Sequence, residues 1–464
     1  MQEQKKLGHF KMATLGFQHM FAMFGATILV PILTGLSVQV TLLGMGVGTL
    51  IFHFFAKGKV PAFLGSSFAF LVGIRVITNE DSGLFAGQGL EQAEKLAYAT
   101  GAIAVAGLMY VLVAIIVKII GPQKFMKFLP PVVTAPIVMI IGLMLAPFAI
   151  DQSRNNLILA GITLLIIMIA SIKGKGLVKI IPILIGIAGA YAIAWIMQGF
   201  GMTNPDGSAV VAIEAAGRSI VGLPPFMAPK FNLAAILIML PFSIATIAEH
   251  VADMVALSKI GEKELKGVPL MEEPGLFRTL IGDGLATVFS GAIGGPASTT
   301  YSENVGVVAL TKVFSSRVVQ LAAVYAAVLA FSPLFAAVVY SIPTAIIGGA
   351  SFLLYGMIAA VGLRNLVDNK VDMGATKNVV IVAVMCVLAF GLRFGPDIFI
   401  PAGDVNIPVS RLGMPIALIL GVILNLVIKD PLKKAPAIEL REEYDRMTEE
   451  EKKNFRDGLQ TPTE

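Results

Sequence analysis

The sequence predicts an all-α polytopic membrane protein with about fourteen transmembrane spans. Hydrophobic residues make up 56% of the 464 residues, charged residues make up only 14%, and the mean hydropathy is +0.83. A soluble domain normally carries about 25% charged residues. Long, mostly apolar segments recur from residue 13 to residue 428, whereas a membrane β-barrel has short segments of alternating polarity. We therefore expect a bundle of helices embedded in a lipid bilayer.

The expected spans follow one another along the chain with short connections. They lie at 13–35, 38–56, 61–77, 96–118, 128–149, 155–172, 177–200, 231–257, 275–293, 297–313, 316–340, 342–363, 376–393 and 410–428. The third and tenth spans are shorter than most of the others and are rich in Gly, Pro, Ser and Thr. These two spans are therefore expected to be interrupted.

The basic residues indicate how the spans are oriented. If the N-terminus is cytoplasmic, 28 of the 35 Lys and Arg residues lie on the cytoplasmic side and seven lie outside. Such an excess is the positive-inside bias of membrane proteins. We therefore expect both termini to be cytoplasmic, and we expect the protein to lie in the cytoplasmic (inner) membrane. The net charge of +5 then has a topological explanation and requires no nucleic-acid partner.

The longest outside stretch, 201–230, divides seven spans from seven. An odd number of spans in each half predicts an inverted repeat. Internal similarities support the repeat, because the third and tenth spans share a Pro-Ala pair, then small residues, two hydroxyl residues and an aromatic residue. The fifth and twelfth spans also share an early Pro and a later Gly. The matching residues are Pro61-Ala62, Ser66-Ser67 and Phe68 with Pro296-Ala297, Thr299-Thr300 and Tyr301, and Pro130 and Gly142 with Pro343 and Gly356.

The interrupted spans are candidate parts of a binding site. Small residues and proline disfavour a continuous helix near mid-membrane in both halves: Gly65, Ser66 and Ser67 in one, and Gly294, Gly295, Pro296 and Ser298 in the other. Unpaired backbone at that depth is tolerated only where it is buried in protein or lines a cavity. Small residues also let helices pack closely. Because the breaks are paired and flank an intramembrane Glu, we favour a site that binds a polar solute.

Glu249 and Glu303 are carboxylates within otherwise apolar segments. An ionised side chain at the bilayer centre costs roughly 2.5–3.5 kcal/mol on insertion scales, so such residues usually face a cavity and have a function. Asp253 lies four residues after Glu249, on the same helix face. Two neighbouring carboxylates repel each other, so at least one should hold a proton near neutral pH. The pair could couple transport to protons, while Na⁺ binding remains an alternative.

Other polar residues in the spans have less specific roles. Asp283 is either a hydrogen-bond anchor or part of a proton relay. His250 is either a packed histidine or a direct participant, and His19 is expected to orient its neighbours through hydrogen bonds. Four histidines and the single Cys386 show no metal-ligand spacing, and the HExxH and GxSxG motifs are absent. The sequence therefore favours a protein without enzymatic activity, metal or cofactor.

Six stretches resemble the nucleobase–ascorbate transporters, and within that family the bacterial uracil permeases. In the stretch 299–312, Glu303-Asn304, Gly306 and Thr311-Lys312 match the family signature. The resemblance extends from about residue 13 to residue 430. The stretches are GFQHMFAMFGATILVP (16–31), KGKVPAFLGSSFAF (57–70), IAEHVAD (247–253), GDGLATVFSG (282–291), TTYSENVGVVALTK (299–312) and LLYGMIAAVGLR (353–364).

The resemblance implies a fold and an activity. It implies a seven-plus-seven inverted repeat in which a core domain moves against a gate domain, with short antiparallel strands in the third and tenth spans. It also implies import of uracil with protons, Na⁺ being the less favoured ion, and a homodimer. The expected parts are an N-terminus at 1–12, core segments at 13–127 and 231–340, gate segments at 128–200 and 341–430, an extracellular linker at 201–230 and a charged tail at 431–464.

The resemblance also assigns roles to residues. Some uracil permeases have His at the position of Asp253, so the coupled proton could be carried by Glu249 alone or by Glu249 together with Asp253. By position, Glu249 and Glu303 would bind the base edge, and Phe68 would contact the face of the base. Tyr301 and Ser302 would line the site, with Tyr355 on the gate side. The supporting residues would be His19, Asp283 and Asn304.

Three alternative functions have distinguishable signatures. Purine or xanthine carriers of the same family typically have Gln at the position of Glu303. An anion exchanger of related architecture should place positive charge or bare helix N-termini at the site, whereas this sequence places acidic residues there. A channel is disfavoured by the paired, interrupted spans.

Overall fold

The computed structural model describes residues 8–428 except 81–82, 212–218, 266–269, 397 and 403–404. The predicted tail at 431–464 lies outside the described residues, as do most of the expected N-terminal segment and part of the expected linker.

The first half of the chain contains ten helices and one short strand among its described residues. Helix α2 begins where the Ser37 hydroxyl accepts a hydrogen bond from the Val40 N–H at 3.3 Å, a typical N-cap. The elements are α1 (His9–Thr34), α2 (Val38–Phe55), β1 (Leu64–Ser66), α3 (Ala69–Thr78), α4 (Gln92–Ile120), α5 (Pro122–Phe128), α6 (Pro131–Met144), α7 (Ala146–Ser153), α8 (Leu157–Lys173), α9 (Leu177–Ile180) and α10 (Pro182–Gly199).

The second half repeats the arrangement of a short strand followed by a short helix. Its described elements are α11 (Leu233–Leu265), α12 (Leu276–Ala292), β2 (Ser298–Thr300), α13 (Ser302–Thr311), α14 (Ser316–Leu329), α15 (Pro333–Tyr340), α16 (Thr344–Asp368), α17 (Thr376–Phe394), β3 (Phe399–Ala402), β4 (Val405–Pro408) and α18 (Gly413–Val427). A kinked segment, Met271–Gly275, in which Glu273 has an extended backbone, precedes α12, and a 3₁₀ turn, Val409–Leu412, precedes α18.

The helical fold class is confirmed, and so are the two short antiparallel strands in the third and tenth spans. Within the described residues, eight helices are long and apolar enough to cross a membrane, or nine if α14 and α15 are one span. Three shorter apolar helices, α3, α8 and α18, add to these. The count of fourteen spans and the inverted repeat stay predictions.

The structure differs from the expected spans in two places: the eleventh span is bent, and a β-hairpin lies between α17 and α18. The segment 316–340 bends by 88° between α14 and α15. The local cause is the Ser332-Pro333 pair, because proline lacks an N–H and Ser332 caps the new helix by accepting from the Phe335 N–H at 3.2 Å. Between α17 and α18, strands β3 and β4 pair antiparallel.

The helices pack in two groups. In one group α12 packs against α4 and α2, and α14 packs against α2 and α1. In the other, α16 packs against α6, α7 and α8, and α17 packs against α18. Glycines permit close approach in both. A Cβ on Gly107 would lie 2.7 Å from the Gly284 carbonyl oxygen, and one on Gly142 would lie 2.5 Å from the Tyr355 carbonyl oxygen.

Candidate functional site

The two strands form the centre of the candidate site. In β1 and β2, Gly65 lies opposite Thr299. The Ser67 N–H donates to the Ala297 carbonyl at 2.9 Å, and the Tyr301 N–H donates to the Phe63 carbonyl at 3.1 Å, which extends the pairing at both ends. Helices α3 and α13 begin within three residues of the strands, so the free N–H groups of two first turns lie beside the strand pair.

Acidic side chains from α11 and α13 converge on this strand pair. Glu249 and Glu303 are partly accessible, whereas Asp253 is buried. The Asp253 carboxylate accepts a hydrogen bond from the Thr300 hydroxyl of β2 at 2.9 Å. The charges of Asp253, Glu303 and Asp283 all act on the Glu249 carboxyl group. The sequence-predicted carboxylates are therefore brought together, although the assigned roles stay predictions.

Asp283 and His250 form a buried pair between α12 and α11. The His250 Nδ1 and Asp283 Oδ2 atoms are 2.9 Å apart, and neither side chain is exposed. The second Asp283 oxygen accepts from the Ser298 hydroxyl at 2.9 Å. The Ser298 N–H in turn donates to the Thr287 hydroxyl at 3.1 Å. These hydrogen bonds tie Asp283 to β2, and both of its expected roles stay predictions.

His19 and Asn304 join α1 to α13. The Asn304 amide nitrogen lies 3.2 Å from His19 Nδ1 and donates to the His19 carbonyl at 3.1 Å. Both side chains are buried. This contact fits the expectation that His19 orients its neighbours, and it fixes the first turn of α13, which carries Glu303.

Aromatic side chains border the strand pair. The Phe68 and Tyr355 rings make an edge-to-face contact with centroids 5.9 Å apart, which joins the segment before α3 to α16. The Tyr301 ring lies against Gly65. The backbone of Ser302 begins α13, but its side chain lies outside the described residues, so its expected contact stays a prediction.

Two buried polar atoms at the strand pair have no hydrogen-bond partner within the described part of the chain. These atoms are the hydroxyl oxygen of Ser67 and the amide oxygen of Asn304. Leaving such a group unpaired costs about 1–3 kcal/mol. A polar solute with both donors and acceptors would satisfy groups of this kind.

A small cavity reaches Glu303, one of the acidic residues beside the strand pair. It has a volume of about 180 Å³ and extends from Glu303 and Gly306 to Lys179 and the start of α10, with Phe21 and Met357 on its walls. Among the described residues, no group of three or more His, Cys, Asp or Glu side chains is arranged to hold a metal ion. The described site therefore contains carboxylates, hydroxyl groups, backbone and aromatic rings, and Lys179 lines the cavity next to it.

Several contributors were not expected from sequence. Thr287, Ser298 and Thr300 hold the carboxylates and β2 through hydrogen bonds. The only sequence signal for Ser298 and Thr300 is the hydroxyl-rich composition of the interrupted span, and Thr287, in the ninth span, has none, because their partners are separated from them in the chain.

Comparison with known proteins identifies the family. A family model described as "Permease family" matches residues 10–398. The chain is 38% identical over 437 residues to the uracil permease of Bacillus subtilis (strain 168), covering 90% of this chain and 93% of that one. It is 39% identical over 384 residues to the putative pyrimidine permease RutG of Escherichia coli (strain K12), covering 82% and 83%.

Solved structures with low sequence identity share the fold. Murine Slc26a9, an anion transporter, matches with a TM-score of 0.64 at 12% identity, over 92% of this chain and 69% of that one. The transmembrane domain of the cyanobacterial bicarbonate transporter BicA matches with a TM-score of 0.57 at 13% identity, over 89% and 96%. The family match and the two permease relatives each span most of the chain, whereas these structures indicate fold alone. The chain is a multi-pass membrane protein that belongs to the nucleobase–ascorbate transporter family.

Proposed function

We propose that this protein is a secondary active transporter that imports uracil or a closely related pyrimidine base together with protons. The observation that carries the proposal is the convergence of Glu249 and Glu303 on the strand pair, beside the hydroxyl group of Thr299 and the aromatic rings of Phe68 and Tyr355. The uracil and pyrimidine permeases to which the chain is similar support the substrate class.

The chemistry of the site suits a flat, neutral amide. Uracil presents alternating ring N–H donors and carbonyl acceptors. An ionised carboxylate accepts from ring N–H groups, a protonated one donates to a carbonyl, and hydroxyl groups do both. Phe68 and Tyr355 supply apolar surface for the ring. The first-turn N–H groups of α3 and α13 and the nearby Lys179 could attract an anion, but the carboxylates of Glu249 and Glu303 would repel one, which argues against anion exchange despite the shared fold.

Proton coupling rests on the crowding of carboxylates. Glu249 and Asp253 lie one turn apart on α11, and Glu303 approaches the same strand pair from α13. Neighbouring carboxylates repel each other when both are ionised. In our proposal Glu249 is protonated when uracil binds from outside and releases its proton to the cytoplasm. Asp253, hydrogen-bonded to Thr300, is the second candidate for the coupled proton.

We further propose that the two packing groups are the moving parts. Helices α1–α4 and α11–α14, with the surface helix α15, form the core, and α6–α10 with α16–α18 form the gate. The core carries both strands, together with α11 and α13, which bear Glu249 and Glu303. Displacement of the core would therefore move the strand pair and these carboxylates across the membrane. In this proposal both termini are cytoplasmic, and the protein lies in the inner membrane as a homodimer. Cross-linking of intact membranes would test the homodimer.

The first experiment is uptake of radiolabelled uracil into proteoliposomes with and without an inward proton gradient. Unlabelled xanthine and bicarbonate serve as competitors. Gradient-stimulated uptake that neither competitor reduces is the expected result. Inhibition by xanthine would move the substrate to purines, inhibition by bicarbonate would favour an anion exchanger, and stimulation only by a Na⁺ gradient would replace the coupled ion.

A further inference from the structure

The side chain of Tyr301 is packed inside the strand pair. A Cβ built on Gly65 would lie 2.2 Å from Cε2 and Cζ of the Tyr301 ring. Real Cβ atoms essentially never approach other heavy atoms below 3.0 Å. The ring therefore lies directly on the backbone of β1, and only glycine at position 65 leaves room for it.

The Tyr301 hydroxyl group extends the contact to a third element. It donates to the Ser66 carbonyl at 2.8 Å and lies 3.3 Å from the Ser66 hydroxyl. The Ser66 hydroxyl donates to the Thr27 carbonyl of α1 at 3.0 Å. All three residues are buried. A continuous set of contacts thus joins the end of β2 to β1 and then to α1.

This arrangement bears on the acidic residues because Tyr301 immediately precedes α13. The Asn304 and Val305 N–H groups donate to the Tyr301 carbonyl at 3.1 and 3.2 Å, so the first turn of α13 is built on this residue. Glu303 lies in that turn. A shift of Tyr301 would therefore move Glu303 relative to Glu249.

We propose that the Tyr301 side chain is a positioning residue: packed on Gly65 and hydrogen-bonded to Ser66, it holds β1 against β2 and sets Glu303 in the binding site. This inference rests on the proposed function, because the site it positions is the proposed base-binding site. It differs from the role implied by family resemblance, in which the Tyr301 side chain lines the substrate.

The first test compares Tyr301→Phe with the wild-type chain by isothermal titration of uracil, thymine and 2-thiouracil. Because the hydroxyl group positions the site without touching the base, affinity should fall by about two- to tenfold, the range for one lost hydrogen bond, and equally for all three ligands. A change in the ranking of the ligands would place the hydroxyl group on the base. Unchanged affinity would show that its bond to Ser66 is dispensable. Either result would overturn the proposal.

The second test needs no ligand. Gly65→Ala is made in the wild-type chain and in a Tyr301→Ala chain, and melting temperatures of the purified proteins are compared. The substitution should lower the melting temperature strongly when the ring is present and little when it is absent. Equal effects in both backgrounds would refute the packing contact. Gly161→Ala, at a helical glycine whose Cβ would meet nothing within 4 Å, is the control.

The two tests separate failure of this inference from failure of the proposed function. If the wild-type chain binds none of the three pyrimidines, the proposed substrate class is wrong. The melting-temperature comparison still decides whether Tyr301 and Gly65 are coupled.

Discussion

In the proposed mechanism Glu249 carries the coupled proton, because it is an ionisable residue in an apolar span with Asp253 one helical turn away. Glutamine has nearly the same shape and keeps an acceptor and a donor, but it cannot exchange a proton. We expect Glu249→Gln to retain uracil binding and to lose accumulation, so that the internal concentration never exceeds the external one. Uptake into proteoliposomes with an imposed proton gradient measures this.

Glu91→Gln is the matched control, since Glu91 is exposed at the start of α4 and its side chain makes no capping hydrogen bond. It should accumulate uracil as the wild-type protein does. Accumulation against a gradient by Glu249→Gln would assign the coupled proton to another group, with Asp253 the next to test.

Sequence reasoning found the acidic residues because an ionisable group in an apolar span is rare and costly. It could not find the hydrogen bonds that tie the acidic residues and the two strands to distant parts of the chain. Thr300 is 47 residues from Asp253 in the chain, and Tyr301 is 235 residues from Ser66. No local pattern encodes such a contact. These partners became visible only when the two strands were paired.

At the scale of elements, close packing of α4 against α12 depends on glycine. A Cβ on Gly107 would lie 2.7 Å from the Gly284 carbonyl oxygen and from the Val288 N atom, both of which are backbone. We expect Gly107→Ala to push the helices apart and to destabilise the protein by about 1–3 kcal/mol, the usual cost of overpacking. The melting temperature of the purified protein measures this.

Gly391→Ala provides the comparison, because Gly391 is also helical and a Cβ there would meet nothing within 4 Å. This substitution should leave the melting temperature unchanged or raise it slightly, since alanine is the better helix former. Equal melting temperatures for both variants would mean that α4 and α12 can adjust without loss.

The elements themselves were predictable to different degrees. Long apolar runs predicted the spanning helices, and paired Gly, Pro and hydroxyl residues predicted the breaks in the third and tenth spans. The strands within those breaks were expected only from family resemblance, because three-residue strands carry no periodic signal. The bend after α14 was missed, since hydropathy alone does not distinguish a straight span from a bent one.

At the scale of the whole molecule, Arg75 links the two groups of helices. Its guanidinium group donates to the Leu33 carbonyl of α1 at 2.9 Å and lies 4.5 Å from the centroid of the Phe148 ring in α7. The first contact stays within the proposed core, whereas the second joins core to gate. A cation–π contact contributes about 0.5–2 kcal/mol. Movement of the core against the gate would have to break it.

Arg75→Gln tests this link, because glutamine carries no charge to place over Phe148; its shorter side chain also gives up the Leu33 bond, which lies within the proposed core. We expect faster hydrogen–deuterium exchange in both α3 and α7, since each loses a contact with the other. Arg154→Gln is the control, because Arg154 is an exposed residue that pairs with Asp151 within a single turn, 3.4 Å away. If both variants exchange like the wild-type protein, the Arg75–Phe148 contact does not hold core and gate together. If Arg75→Gln alone loosens α3 and α7, the boundary between the two packing groups is where the molecule opens.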